Sequence, residues 1–155
     1  MNQENTVKNF LEIFFKSCHI SNYEIDITKY ESENKVFVNV NIPMKASLFI
    51  GKLGSNLEAF EIILSDMINL NNDGVESTRV EFDINGYRLN RRRDLQDLAR
   101  ATAQKVMVFK APVSLDPMSS RDRKIIHNEI ALYPDLISAS EDNYPYRHIV
   151  ISYRQ

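Results

Sequence analysis

Alternation of apolar side chains along residues 35–42 constrains the fold of this chain more than any other feature. Four of them recur at every second position: Val36, Val38, Val40 and Ile42. Because successive side chains of a strand point to opposite faces, this spacing predicts a strand with one buried face. A second alternating run covers residues 23–28, and a polar turn at residues 31–34 separates the two runs. Together they predict an antiparallel hairpin.

Helical periodicity surrounds this hairpin. Apolar residues three and four apart predict one helix over residues 4–18 and another from Ser55 to the polar residues 71–74. The predicted buried faces are Val7, Phe10, Leu11, Phe14 and Cys18 in the first, and Leu57, Phe60, Leu64, Met67 and Ile68 in the second. Ser55 and Glu58 have the spacing of a capping box. Residues 46–50 form a short helical stretch, and residues 78–84 alternate as a third strand.

The second half begins after Asn85-Gly86, which is the clearest turn signal between the two halves of the chain. Its periodicity predicts a long helix, a short strand, a helix that Ser119 can cap, and two final strands. These cover residues 88–110, 112–115, 119–131, 136–140 and 147–153. The predicted inner faces are Leu95, Leu98, Thr102, Val106 and Phe109 in the first helix, and Ile126 and Ile130 in the second. We therefore predict an α+β protein of two small domains, residues 1–84 and 85–155.

Charge divides the chain at the same place. Residues 1–83 carry seven basic and thirteen acidic side chains, a net charge of −6, whereas the remaining residues carry twelve and eight, a net charge of +4. Such an asymmetry indicates that the second half faces an anionic partner.

Cys18 is the only cysteine, which excludes an internal disulfide and is typical of a small buried side chain in a reducing compartment. No apolar stretch approaches the roughly 20 residues of a membrane span, so we expect a cytoplasmic protein without direct membrane insertion.

Gly51-Lys52-Leu53-Gly54 is the first candidate binding motif. Glycine allows close approach of another chain and adopts backbone angles closed to other residues. The following helix, which begins near Ser55, presents a partially positive end that suits phosphate. Taken alone, Gly-x-x-Gly is more typical of a simple turn between two helices than of a binding loop. The surrounding order of helix, strand, strand, short helix, loop, helix and strand resembles that of a K-homology (KH) domain, and this resemblance implies a backbone clamp for nucleic acid.

Arg123 and His127 form the second candidate motif. They lie four residues apart on a predicted helix and therefore share a face, with Arg121 and Lys124 adding positive charge nearby. Arginine offers a planar fork for phosphate, and histidine can stack on a base or donate a hydrogen bond. A solvated helix face is the alternative interpretation of this common spacing.

These motifs, in this order, resemble a K-homology (KH) domain followed by an Arg-x-x-x-His (R-three-H) domain. That is the arrangement of the bacterial Jag family, also called KhpB or SpoIIIJ-associated. The segments that carry the resemblance are FIGKLGSNLEAFEIIL, VEFDINGYRLNRRRDLQDLA, PVSLDPMSSRDRKIIHNEI and NYPYRHIVI. It implies a type II KH fold (αββααβ), an RNA-backbone loop at Gly51, Lys52, Leu53, Gly54 and Ser55, and a second site at Arg123 and His127. It also implies a partner with a single KH domain, or a homodimer, and a role linked to cell-envelope growth.

Two departures from the family pattern change the expectation. Leu53 stands where the family often has a second basic residue, which lowers the expected attraction for phosphate. The separate N-terminal domain of many members is not expected here. The resulting hypothesis is a non-catalytic protein that binds single-stranded RNA, with single-stranded DNA as an alternative ligand. The competing hypothesis is a protein-interaction adaptor that dimerises through its KH fold and binds little RNA.

Other residues carry weaker signals. His19, His127 and His148 lack the spacing of metal ligands, and no nucleophile–base pair occurs, so we expect no metal, no cofactor and no catalytic residue. At least one of Arg91, Arg92 and Arg93 must be solvated, because three successive residues cannot share one helical face. Tyr144 and Tyr146 flank Pro145; packing at the entry to a strand is favoured over a stacking surface.

Overall fold

The computed structural model describes residues 3–70 and 77–154. The chain divides into two compact units, Met1–Tyr87 (unit 1) and Arg88–Gln155 (unit 2). Both combine helices with a three-stranded sheet, which confirms the α+β class. The stop signal expected at residues 71–74 lies outside the described residues.

Within residues 3–70 and 77–87, unit 1 has three helices and three strands. In chain order they are α1 (Gln3–Ser17), β1 (Glu24–Tyr30), β2 (Lys35–Asn41), α2 (Ala46–Ile50), α3 (Ser55–Asn69) and β3 (Arg79–Ile84), with 3-10 turns at Glu31–Glu33 and Lys52–Gly54. The sheet order is β1-β2-β3. The predicted hairpin is present, with Ile27 opposite Val38, and β3 pairs in parallel with β2, with Val38 beside Phe82.

The core of unit 1 lies between this sheet and the helices α1 and α3. The alternating side chains of β2 are fully buried, as predicted, together with those of β3. On α1 the buried residues are Val7, Leu11 and Phe15, spaced four apart, and Phe10 and Phe14 are partly buried beside them. The prediction for Cys18 was wrong: this thiol is exposed. Helix α1 ends at Ser17 and the chain turns at His19 (φ 58°), so Ile20 packs against the core instead.

The described part of unit 2, which ends at residue 154, places two helices against an antiparallel sheet. Its elements are α4 (Tyr87–Phe109), which begins at the unit boundary, then β4 (Val113–Ser114), α5 (Ser120–Ile130), β5 (Leu136–Glu141) and β6 (His148–Tyr153). The sheet order is β4-β6-β5. Ile126 and Ile130 are buried in its core, as predicted. The Ser119 hydroxyl accepts a hydrogen bond from the Asp122 N–H at 3.2 Å, which confirms the predicted cap of α5.

The buried face of α4 differs from the predicted one. Leu95, Ala99, Thr102, Ala103 and Val106 are buried. Leu98 is 42% exposed and Phe109 is 75% exposed, so both were assigned to the core wrongly. The centre of the face lies towards Ala99 and Ala103, because small side chains let α4 pack closely on the other elements. The predicted face followed the large apolar side chains and did not include these two alanines.

Buried carboxylates join α4 to α5. Arg91 donates to Asp122 Oδ2 from Nε at 3.2 Å and from Nη2 at 2.9 Å. Further along α4, Arg100 Nε donates to Glu129 Oε1 at 2.8 Å. Of the three successive arginines, Arg91 is thus a structural residue, while Arg92 and Arg93 are exposed.

Candidate nucleic-acid interface

The glycine loop of unit 1 is a tight turn between α2 and α3. Gly51 (φ 74°) ends α2, and Gly54 (φ 84°) precedes α3. Both have the positive φ that favours glycine. Lys52 and Leu53 form the tip and are exposed. Leu53 also has positive φ (55°), which is strained for a leucine.

Crowding explains why Gly51 lacks a side chain. A Cβ atom at this position would lie 2.6 Å from Cγ of Asn56. Asn56 cannot easily move, because its Nδ2 donates to the Leu48 carbonyl at 2.9 Å and thereby joins the first turn of α3 to α2. A Cβ on Gly54 would lie 3.0 Å from the ring of Tyr87. Asn56, which holds the loop in place, was not identified from the sequence.

The predicted capping box at Ser55 is wrong. Gly54 occupies the N-cap position of α3, and Ser55 already has helical angles (φ −58°, ψ −36°). A capping side chain requires an extended backbone at its own residue. The Ser55 hydroxyl instead lies 3.4 Å from Oδ1 of Asn56. The N–H groups of Gly54 and Ser55 donate within the turn, to Gly51 and Lys52, so these two are already engaged.

Arg123 lies in the first turn of α5 and is half-buried. Its Nη1 donates to the Met118 carbonyl at 2.8 Å, and its Nη2 donates to the Ser120 hydroxyl at 2.9 Å. A guanidinium has five N–H donors. These two bonds orient its plane and leave the other donors for a ligand. Arg121 and Lys124 are exposed on the same helix.

His127 is held by two serines of β5. Its Nδ1 lies 2.7 Å from the Ser138 hydroxyl and its Nε2 lies 2.9 Å from that of Ser140. Burial, and then the positive charge of Arg123, lower the pKa of His127 below its usual value. The ring is therefore neutral at pH 7, with one nitrogen donating and the other accepting. The serines were missed in the sequence, although their spacing of two on a strand puts them on one face.

The structure thus groups the predicted site residues in two places. Gly51, Lys52, Leu53, Gly54 and Ser55 form one continuous turn in unit 1. Arg121, Arg123, Lys124 and His127 lie on α5 in unit 2. No cluster of three or more metal-ligating side chains occurs within residues 3–70 and 77–154. In the described part of the chain, no helix is both long and apolar enough to span a membrane.

Comparison with known families identifies the second module. The R-three-H domain family matches residues 93–153, which include α5, β5 and β6. The match includes Arg123, His127 and the two serines that hold the histidine ring.

Relatives extend the similarity to nearly the whole chain. The RNA-binding protein KhpB of Clostridium symbiosum is 31% identical over 147 residues, which cover 94% of this chain and 64% of that protein. KhpB of Bacillus subtilis is 34% identical over 132 residues, covering 84% of this chain and 62% of the relative. KhpB of Lactiplantibacillus plantarum is 34% identical over 111 residues, covering 72% of this chain and 34% of the relative. The chain thus spans less than two thirds of the length of these relatives.

Proposed function

The chain belongs to the KhpB (Jag) family, and on that premise we propose that it is a non-catalytic protein that binds single-stranded RNA. Residues 1–84 act as a KH domain and residues 85–155 as the R-three-H domain. The protein works in the cytoplasm, in post-transcriptional regulation linked to cell-envelope growth. The relatives are named as RNA-binding proteins, which supports the proposed ligand.

The observation that carries this proposal is the geometry of the turn at residues 51–54. Its two glycines have positive φ, and Gly51 has no room for a side chain. The turn presents Lys52 and Leu53 to solvent between two helices. A backbone that can be approached closely, with one cation at its tip, suits the sugar-phosphate chain of a single strand. Because only one of the two tip residues is basic, shape contributes more than charge at this site.

The second module adds electrostatic attraction for the RNA. Arg123 keeps N–H donors for a phosphate oxygen, and Arg121 and Lys124 are exposed on the same helix. Both nitrogens of the neutral His127 ring are held by serines, so the ring contributes a flat surface rather than charge. Two weak sites in one chain raise the overall affinity through effective concentration.

The loop is tested by replacing Lys52 and Leu53 together with aspartate. Two negative charges at the tip repel phosphate, and we expect RNA binding to fall at least about tenfold in a polarisation assay with a labelled oligo(U) of about 12 nucleotides. The fold should persist, because both side chains are exposed and aspartate tolerates positive φ better than leucine does.

Lys8→Asp with Asn9→Asp is the matched control. These adjacent residues on α1 are exposed, and the pair makes the same change in charge far along the chain from the loop. The control should bind as the unaltered protein does. If both pairs weaken binding equally, the effect belongs to net charge, and the loop is not the site.

A protein-interaction adaptor is the second candidate. Ile13 on α1, and Ile62 and Ile63 on α3, are large apolar residues exposed on two helices that contact each other. They suit a homodimer or a partner with a single KH domain. A protein that is dimeric by light scattering, yet shows no salt-sensitive RNA binding, would favour this candidate over the first.

A further inference from the structure

Two tyrosine rings project from the loop between β5 and β6. Tyr144 is 93% exposed and Tyr146 is 70% exposed, so neither packs at the entry to β6 as the sequence favoured. Neither ring stacks on another aromatic ring within the described residues. Exposed aromatic side chains cost solvation free energy, and one such ring is ordinary. Two in a three-residue stretch make this loop a candidate ligand surface.

The loop that carries these rings is held by its own hydrogen bonds. The Tyr146 N–H donates to the Asn143 carbonyl at 2.8 Å. Nδ1 of His148 lies 3.1 Å from the Tyr146 carbonyl and 3.5 Å from Oδ2 of Asp142. A backbone already ordered in this way loses little conformational entropy when a ligand binds.

Both ends of the loop contact the residues that position the R-three-H pair. At one end, Ser140 bonds to His127 Nε2. At the other, the Met118 N–H donates to the Arg147 carbonyl at 3.2 Å, and the Met118 carbonyl accepts from Arg123. The ends of the loop that carries the tyrosines therefore adjoin a pair that belongs to the proposed RNA site.

The charges of the loop disfavour contact with phosphate at its N-terminal end. Contact between the tyrosine rings and nucleobases is favoured there instead. Glu141 and Asp142 are acidic and exposed, whereas Arg147 at the far end is basic and exposed. A phosphate is repelled near the first two and attracted near the last. The uncharged faces of Tyr144 and Tyr146 lie between them in sequence and suit nucleobases.

We propose that Tyr144 and Tyr146 form a stacking platform for the bases of single-stranded RNA whose backbone is held by Arg123, beside the His127 ring. The inference rests on the proposed function and adds a base-contacting site to it. Stacking tolerates any base, so this site supplies affinity without strong sequence preference.

The test compares Tyr144→Ala and Tyr146→Ala with the phenylalanine variants of the same positions. Each alanine should weaken binding of the same labelled oligo(U) by about fivefold or more. Each phenylalanine should stay within about twofold of the unaltered protein, because it keeps the ring. Binding of a strand of equal length with the same backbone but abasic residues should not change in any variant. Tyr30→Ala, an exposed tyrosine of unit 1, is the control and should bind normally.

Any one of three outcomes would contradict the proposed stacking platform. If the alanine variants bind oligo(U) normally while the unaltered protein binds well, the platform fails and the proposed function stands. If they lose affinity for the abasic strand equally, the tyrosines act on the backbone or on the loop fold rather than on bases. If the unaltered protein binds neither strand, the proposed function fails, and the platform fails with it.

Discussion

Asp83 is a carboxylate buried in the sheet of unit 1. Its Oδ1 accepts the Ile84 N–H at 2.9 Å. Burial raises the pKa of Asp83 from 3.8 to about 6; the Ile84 N–H opposes this change, and the negative charge of Glu61 adds to it. The folded state therefore holds the proton more tightly than the unfolded state. Between about pH 4 and pH 6 we therefore expect the contribution of Asp83 to the free energy of unfolding to fall as pH rises, by something on the order of 2–3 kcal/mol.

Asp83→Asn should remove this loss of stability at higher pH. An amide keeps an oxygen for the Ile84 N–H and carries no charge to bury, so we expect the Tm of the full chain at about pH 7.5 to rise by roughly 5 °C. At about pH 4 the gain should disappear, because the native carboxyl is then protonated. Thermal unfolding followed by circular dichroism at both pH values makes the measurement. Asp26→Asn, at an exposed carboxyl of β1, should change neither Tm; an equal rise in both variants would contradict the explanation.

At the scale of elements, the position of α5 depends on ion pairs with α4. The Asp122 side chain is buried and receives two N–H donors from Arg91. The same carboxylate belongs to the capped first turn of α5, one residue before Arg123. A buried ion pair contributes little net stability, but the loss of one partner leaves an uncompensated charge.

Arg91→Ala should therefore destabilise unit 2 strongly. We expect the free energy of unfolding to fall by about 3 kcal/mol, the lower end of what breaking a buried pair costs, because Arg91 itself is only partly buried. Arg92→Ala removes an identical side chain that is exposed one residue further along, and its effect should stay within about 0.5 kcal/mol. Urea unfolding of both variants measures the difference. Equal stabilities would mean that the carboxylate finds another partner or takes up a proton.

At the scale of the whole molecule, two compact units each carry a candidate site. Neither site has many positive charges, and each is expected to bind weakly by itself. Under the proposed function, we expect affinity for a long strand to depend on simultaneous use of both units.

The length of the RNA provides the test of this cooperation. An oligo(U) of about 15 nucleotides should bind the unaltered protein about 100-fold or more tightly than one of about 5 nucleotides. The larger number of binding registers on the longer strand accounts for about tenfold of that gain. In the variant in which Lys52 and Leu53 are both replaced by aspartate, only the gain in affinity from the larger number of registers should remain. The same gain in both proteins, measured by polarisation, would show that one unit does all the binding.

Local patterns were sufficient to predict the elements of this fold. The alternation along β2, the three-four spacing of α1, α3 and α5, and the Ser119 cap reflect the geometry of a single strand or helix. Both short motifs were also identifiable from local sequence. These properties depend on neighbours within a few residues, and so they can be recognised without a tertiary structure.

What the sequence determined by itself was therefore the order of elements, the buried face of most of them, and the family. The tertiary structure alone decided that Gly54 caps α3 in place of Ser55 and that α4 buries alanines instead of Leu98 and Phe109. It also decided that Ser138 and Ser140 hold His127 and that Tyr144 and Tyr146 face solvent. Each of these depends on which distant segment packs against a residue, or on the backbone angle that such packing imposes. Local periodicity carries no information about that partner.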